Sequence, residues 1–207
     1  MPDALIFDLD GTLWDTNAVC ADTWNDVVAR LGIPWRPILA EDIRRVAGQP
    51  GIDAVRSIFA GLPEEQISHI AEEVLVADVR AIAAVGGDLY NGVCESIPLL
   101  RDRLPLMIVS NCQSGYIEVF LNTSGLAGHF VDFECWGNTG RSKAENLAMV
   151  IARNGLTEPW FVGDTEGDRE AARANSVPFV HVSWGFGSAV DYDHRVDRFA
   201  DLFTLLR

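Results

Sequence analysis

The 207-residue chain predicts an α/β protein, a Rossmann-like doubly wound parallel sheet with an inserted helical block. Three observations carry that prediction. From Val93 onward, short apolar β-favouring runs alternate with segments of helical periodicity, as crossover helices between parallel strands require. Ala4-Leu-Ile-Phe7 reads as one more strand at the N-terminus. Between that strand and the next lie about 100 positions, where a plain strand–helix–strand unit needs about 30.

The first strand runs into Asp8-Leu-Asp10-Gly-Thr12-Leu13. Side chains at i and i+2 of a strand share a face. Asp8 and Asp10 are therefore expected side by side at the carboxyl end of the strand, where open α/β sheets bind ligands. Two carboxylates so close require a cation, a shared proton or a structural reason. Asp-Gly is equally a turn signal, so the stretch alone is compatible with a plain turn.

The next segment, Asn17–Leu31, places Cys20, Trp24, Val27, Val28 and Leu31 at helical spacing and ends at Gly32, Pro34 and Pro37. A short helix over Glu41–Val46 leads into the loop Gly48-Gln-Pro-Gly51. Helices over Ile52–Ala60 and Glu64–Val85 follow, and Gly86-Gly87-Asp88 closes the block. Beyond it the pattern predicts helix to Arg103, strand Leu106–Val109, helix Gly115–Ser124 and strand Val131–Cys135. Then come helix Ala144–Asn154, strand Trp160–Val162, helix Arg169–Asn175, strand Phe179–Val182 and a final helix Val196–Leu206. Residues 1–14 and 89–207 are thus expected to form the core and residues 15–88 a helical cap. An insertion hinged at the carboxylate turn is placed to act as a lid.

Composition narrows the partners. A formal net charge of −14 excludes nucleic acid and anionic membrane surfaces as binding partners, and an anionic substrate would need local positive charge. The basic residues are fifteen arginines and one lysine, Lys143. A lone lysine marks a position where a compact point charge is wanted over a planar fork. Cys20, Cys94, Cys112 and Cys135 show no C-x-x-C spacing and are expected as reduced buried thiols. No N-terminal signal precedes the first strand and no apolar run reaches about 18 residues, so a cytoplasmic protein, monomer or homodimer, is expected.

Three further stretches carry chemistry. Ser110-Asn111 ends the second strand, where a hydroxyl and an amide can hold an anion, or else cap a helix. Ser142 and Glu145 form a capping box that sets Lys143 in a first helical turn. The helix dipole disfavours a cation there, and a nearby anion or carboxylate cluster would resolve the conflict. Gly163-Asp164-Thr165-Glu166-Gly167-Asp168 is again a strand running into carboxylates; Asp168 is also explained as the partner of a Thr165 cap, Asp164 is not. Hard oxygen donors gathered at one sheet edge suit Mg²⁺ and a substrate phosphate.

These stretches resemble, in order, the four motifs of the haloacid dehalogenase superfamily, in its phosphatase-like members with a helical cap: Asp8-x-Asp10-Gly-Thr12, Ser110-Asn111, Lys143, and Gly163-Asp164 with Asp168. The resemblance implies a Mg²⁺-dependent phosphatase acting on a small-molecule phosphate ester. In it Asp8 is the nucleophile that becomes an aspartyl phosphate, and Asp10 the acid and base. Asp8, Asp10 (through its carbonyl), Asp164 and Asp168 are the metal set. Thr12, Ser110, Asn111 and Lys143 bind the phosphoryl group, with Gln49 of the cap loop on the substrate side. Asp10 is absent from dehalogenase-type relatives, and the cap lacks the lysine of the Schiff-base phosphonatases. The histidine that sugar phosphomutases carry after Asp15-Thr16 is missing too. Lys143-Ala-Glu-Asn146 departs from the Lys-Pro-x-Pro of many phosphoglycolate-type relatives. The alternatives kept are a phosphomutase and a non-catalytic binding or regulatory protein on the same scaffold. Arg44, Arg45 and Arg56 are candidates to meet a second anionic group, with solvated cap surface the favoured expectation, and the four histidines are expected as structural or surface groups.

Overall fold

A computed structural model describes residues 1–207. The chain runs β1 (Leu5–Phe7), β2 (Trp14–Asp15), α1 (Asn17–Arg30), α2 (Ala40–Val46), α3 (Gly51–Ile58) and α4 (Glu64–Val85). It continues with β3 (Asp88–Leu89), α5 (Val93–Arg101), β4 (Leu106–Ser110), α6 (Tyr116–Ser124), β5 (Asp132–Cys135) and the short α7 (Trp136–Thr139). The last elements are α8 (Lys143–Asn154), β6 (Trp160–Gly163), α9 (Glu166–Ala174), β7 (Phe179–Val182), β8 (His194–Val196) and α10 (Leu202–Leu205).

Six strands form one parallel sheet in the order β5-β4-β1-β6-β7-β8. The chain builds outward from β1 on one side and then crosses to the other, so β1 lies at the topological switch point. Alternation divides the core. Ile6, Met107, Val109 and Phe161 face α8 and α9 through Leu147, Val150, Ala171 and Ala172. Leu5, Phe7, Ile108 and Val162 face the opposite layer with Phe120, Ile97 and Phe199. Burial on both faces is why these strands read as continuous apolar runs.

Helices α1–α4 stand between β2 and β3, which pair antiparallel, Trp14 opposite Leu89 and Asp15 opposite Asp88. This small ribbon was not anticipated, because two-residue strands leave no period to read. Its residues close the entry and exit of the helical segment onto each other. Trp24, Val27, Phe59, Ile70, Val74 and Ile82 pack inside that segment and are continuous with the apolar layer of the sheet. No helix is long and apolar enough to cross a membrane.

Two expectations are corrected. The final helix Val196–Leu206 is instead the edge strand β8, a 3₁₀ turn over Phe199–Asp201 and the single-turn α10. The apolar positions Val196, Phe199, Leu202 and Leu206 have helical spacing, yet Val196 is drawn into the ladder beside β7. Cys94 is exposed, while Cys20, Cys112 and Cys135 are buried free thiols.

Candidate active site

The strand β1 stops at Phe7, and the Asp8 amide still donates to Val162 O (2.8 Å), extending the ladder by one rung. Asp8 is buried at the carboxyl edge of the sheet. Lys143, the first residue of α8, reaches across to it: Nζ lies 2.8 Å from Asp8 Oδ1 and 2.6 Å from Asp168 Oδ1. The Ser142–Glu145 capping box is formed, so the helix start is fixed by its cap and Lys143 is free to serve the carboxylates. This resolves the conflict between cation and helix dipole.

Asp164 follows β6. Its Oδ2 accepts from the amides of Phe186 (2.7 Å) and Gly187 (3.1 Å), and its Oδ1 from Thr12 Oγ1 (3.3 Å). The Thr165–Asp168 capping box is also formed. Asp168 Oδ2 accepts from Thr165 N, Thr165 Oγ1 and Asp164 N, and its Oδ1 takes Lys143. Both explanations of Asp168 thus hold at once, one per oxygen.

Carboxylate oxygens of Asp8, Asp164 and Asp168 lie within 4.8 Å of one another. Burial raises the pKa of Asp8, and the Asp168 charge adds to this, against the pull of Lys143. Burial and Asp168 push Asp164 up to about 6. Burial alone would favour a neutral Lys143, but Asp168 and Asp8 outweigh it and hold the ammonium charged. Three buried carboxyls facing one ammonium leave negative charge for which the fold has no further cation, and their hard oxygen donors fit a Mg²⁺ ion. Asp8 Oδ2 has no protein donor, since Lys143 engages Oδ1.

Asp10 does not join this cluster. The chain turns after Phe7, so the i, i+2 relation expected of a continuing strand is lost, and the Asp10 side chain faces the helical insertion. Its Oδ1 accepts from Tyr116 Oη (2.8 Å) and Thr16 Oγ1 (3.5 Å). Burial raises it to about 6, with Tyr116 opposing. Two carboxyls two positions apart are therefore separated in surroundings, one on the ammonium and one on a phenol.

Gly11 sits in this turn at φ +86°, and a Cβ there would come 2.5 Å from Asp164 Oδ2. Gly185 presses on the same carboxyl from the other side, with a Cβ placed 2.3 Å from Asp164 Cβ. Gly185→Ala is expected to displace Asp164 from the Phe186 and Gly187 amides. The cost is about 1–3 kcal/mol of stability and at least about tenfold in turnover. A thermal melt beside a phosphate-release assay checks both.

The cavity above these groups is lined by Asp8, Asp10, Ser110, Asn111 and Lys143 from the sheet edge and by Gly48, Gln49 and Leu75 from the insertion. Ser110 Oγ accepts from Cys112 N (3.2 Å), a local turn and not a helix cap, because α6 begins only at Tyr116. Asn111 Nδ2 donates to Gly48 O (2.8 Å), joining sheet edge to insertion, and its buried Oδ1 has no partner. Gln49 is exposed at the rim and accepts from Ser57 Oγ (3.3 Å). Thr12 lies behind Asp164 and does not line the cavity.

Arg44 departs from its surface expectation. It donates to Gly185 O (2.8 Å) and lies over the Phe186 ring at 5.2 Å, bridging insertion and sheet edge. Arg45 pairs with Asp42 and Arg56 with Glu64, as surface arginines do. His181 is buried against Phe179 and Tyr192. Several lining residues were not anticipated, Asn17, Thr16, Tyr116 and Asp78 among them. Tyr116 meets Asp10 from 106 positions away and leaves no local trace. Asp78 did leave one, a charge in the buried stripe Ile70, Val74, Asp78, Ile82 of α4.

Sheet order, helical insertion and carboxyl-edge cluster together define a phosphatase-like α/β enzyme. The family model of haloacid dehalogenase-like hydrolases matches residues 2–175, and the chain belongs to that family. It is 28% identical over 215 residues to the phosphoglycolate phosphatase of Agrobacterium fabrum, spanning 97% of this chain and 91% of that one. It is 32% identical over 186 residues to that of Synechococcus elongatus, spanning 88% and 84%. A haloacid dehalogenase-like family hydrolase from Streptococcus pneumoniae shares the fold with a TM-score of 0.87 at 20% identity, covering 100% of this chain and 99% of that one.

Proposed function

We propose that this phosphatase hydrolyses a small-molecule phosphate monoester through an aspartyl phosphate on Asp8, with Mg²⁺ as its cofactor and residues 15–88 as its cap. The observation that carries the proposal is the Asp8–Lys143–Asp168 bridge beside Asp164, with Asp10 held separately by Tyr116. Asp8 Oδ2, free of protein donors, attacks phosphorus, and the ester oxygen leaves as the new bond forms. Asp10, raised to about 6, is close enough to neutral pH to give a proton to that oxygen and then take one from the water that attacks phosphorus, breaking the Asp8 O–P bond and releasing inorganic phosphate. Tyr116 and Thr16 fix its orientation. Lys143, Ser110 and Asn111 oppose charge on the transferring group from their places in the cavity wall.

Asp8, Asp164 and the Asp10 carbonyl would hold the Mg²⁺, with Asp168 acting through Lys143 and the Asp164 amide. When bound, the ion supplies positive charge to the phosphoryl oxygens and to the clustered carboxylates. Mg²⁺ at 100 times its dissociation constant should raise stability by about 2.7 kcal/mol, and a chelator should reverse this. A melting temperature indifferent to Mg²⁺ would contradict the metal assignment. Release of p-nitrophenol from its phosphate, with Mg²⁺ and beside Asp8→Asn, tests the function itself.

A further inference from the structure

The insertion contributes one carboxyl side chain to the cavity wall, Asp78 of α4. It is 4% exposed. Its Oδ2 accepts from Trp24 Nε1 at 2.9 Å, which fixes the carboxyl plane, and its buried Oδ1 has no partner. The neighbouring Cys20 thiol lies 3.8 Å from Thr16 Oγ1 and within reach of the Asp78 carboxyl. On the same wall Asn17, also buried, carries an unpartnered Nδ2 donor. Asn17, Cys20 and Trp24 are spaced at i, i+3 and i+7 along α1, so one helix face presents the donor and orients the acceptor. A buried polar atom without a partner calls for a physical reason, a ligand that completes the bonding being one; of the eight such atoms in this chain, those of Asn17, Asp78 and Asn111 belong to residues lining this cavity.

The rest of the cap wall is uncharged: Ile43, Val46, Ala47, Gly48, Gln49 and Leu75 line it, with no arginine or lysine among the lining residues of the insertion. Lys143 is engaged by Asp8 and Asp168 on the sheet side. A carboxylate on the leaving group would meet Asp78 and no free cation.

We infer that Asp78 and Asn17 form the leaving-group subsite, and that it takes the hydroxyl of a hydroxyl-bearing phosphate ester and rejects a carboxylate-bearing one such as phosphoglycolate. The hydroxyl donates to Asp78 Oδ1 and accepts from Asn17 Nδ2, satisfying both orphaned atoms. Burial pushes Asp78 up to about 7, so it is present in both protonation forms near neutral pH; a hydroxyl partners either form, a carboxylate only the protonated one. This inference rests on the phosphatase function proposed above and goes beyond it, since the relatives named phosphoglycolate phosphatases do not determine the substrate of this chain.

The test is kcat/KM on three phosphate esters matched in chain length, one plain alkyl, one with a terminal hydroxyl and one with a terminal carboxylate, in several lengths and with phosphoglycolate beside them. The hydroxyl ester should exceed the alkyl and carboxylate esters by about tenfold or more at its best length, mainly through KM. Asp78→Asn should narrow the gap between hydroxyl and carboxylate esters by about tenfold. The wild-type comparison needs no variant, so a poorly folding Asp78→Asn leaves the test intact. A wild-type enzyme that prefers the carboxylate or alkyl ester at every length overturns the subsite, as does an unchanged ratio in a folded Asp78→Asn. Turnover of p-nitrophenyl phosphate separates the two levels. If it is present, a failed preference removes the subsite alone; if it and every ester are inert, the phosphatase function falls and the subsite with it.

Discussion

Asp8→Asn is expected to lower kcat on p-nitrophenyl phosphate on the order of 10⁴-fold or more, as loss of a nucleophile does in enzymes that form covalent intermediates. The fold should survive. In the native state Asp8 has a raised pKa, because burial and Asp168 outweigh Lys143. A carboxyl whose folded pKa is raised destabilises the fold once pH exceeds its unfolded value, and a neutral amide carries no such cost. Without metal, Asp8→Asn should therefore melt at or above the wild-type temperature near neutral pH, while Mg²⁺ should stabilise it less. Retained turnover in Asp8→Asn would remove Asp8 as nucleophile. A variant melting several degrees lower would show that its ion pair with Lys143, and not its burial, decides the balance.

Lys143→Met is expected to fail in both respects. The ammonium is the partner of two buried carboxylates at 2.8 and 2.6 Å, and removing it leaves both uncompensated. Breaking a buried pair in this way costs about 3–5 kcal/mol. For a chain of this size that is roughly 10 °C in melting temperature. Turnover should fall by about 10²–10³-fold as positive charge beside the transferring phosphoryl group is lost. Lys143→Arg should not restore it, since a planar fork cannot replace a compact charge held between two close oxygens. A melt unchanged in Lys143→Met would contradict the electrostatic account of this cluster.

Much of the fold was legible because the core strands are buried on both faces. Leu106–Val109 is an unbroken apolar run and Phe179–Val182 is interrupted only by His181, both are bounded by turns, and no helix competes for so short a segment. Asp164 and Lys143 were legible for a related reason, each standing where local structure alone would not choose it. What stayed hidden depends on partners distant in sequence. Val196 fits a helical stripe and is claimed by β7. Asp10 was expected to share a face with Asp8, and the turn through Gly11 sends it to Tyr116 instead. Arg44 looks like any cap-surface arginine until the chain brings Gly185 and Phe186 beneath it.

The pairing of β2 with β3 bears on how faithfully the cavity is assembled. Two independent tethers would let the helical segment swivel as well as tilt. Hydrogen-bonded into one ribbon, with Tyr90 N also donating to Leu13 O at 3.1 Å, they fix the entry and exit of the segment at one place. Asn17 and Asp78, both within that segment, are thereby held to the same cavity as Asp8. Asn111 Nδ2 to Gly48 O and Arg44 to Gly185 O tie the segment to the sheet edge at two further points. A wall tied at the ribbon and at these two bonds would present one template to a bound substrate, and the ribbon sets its register.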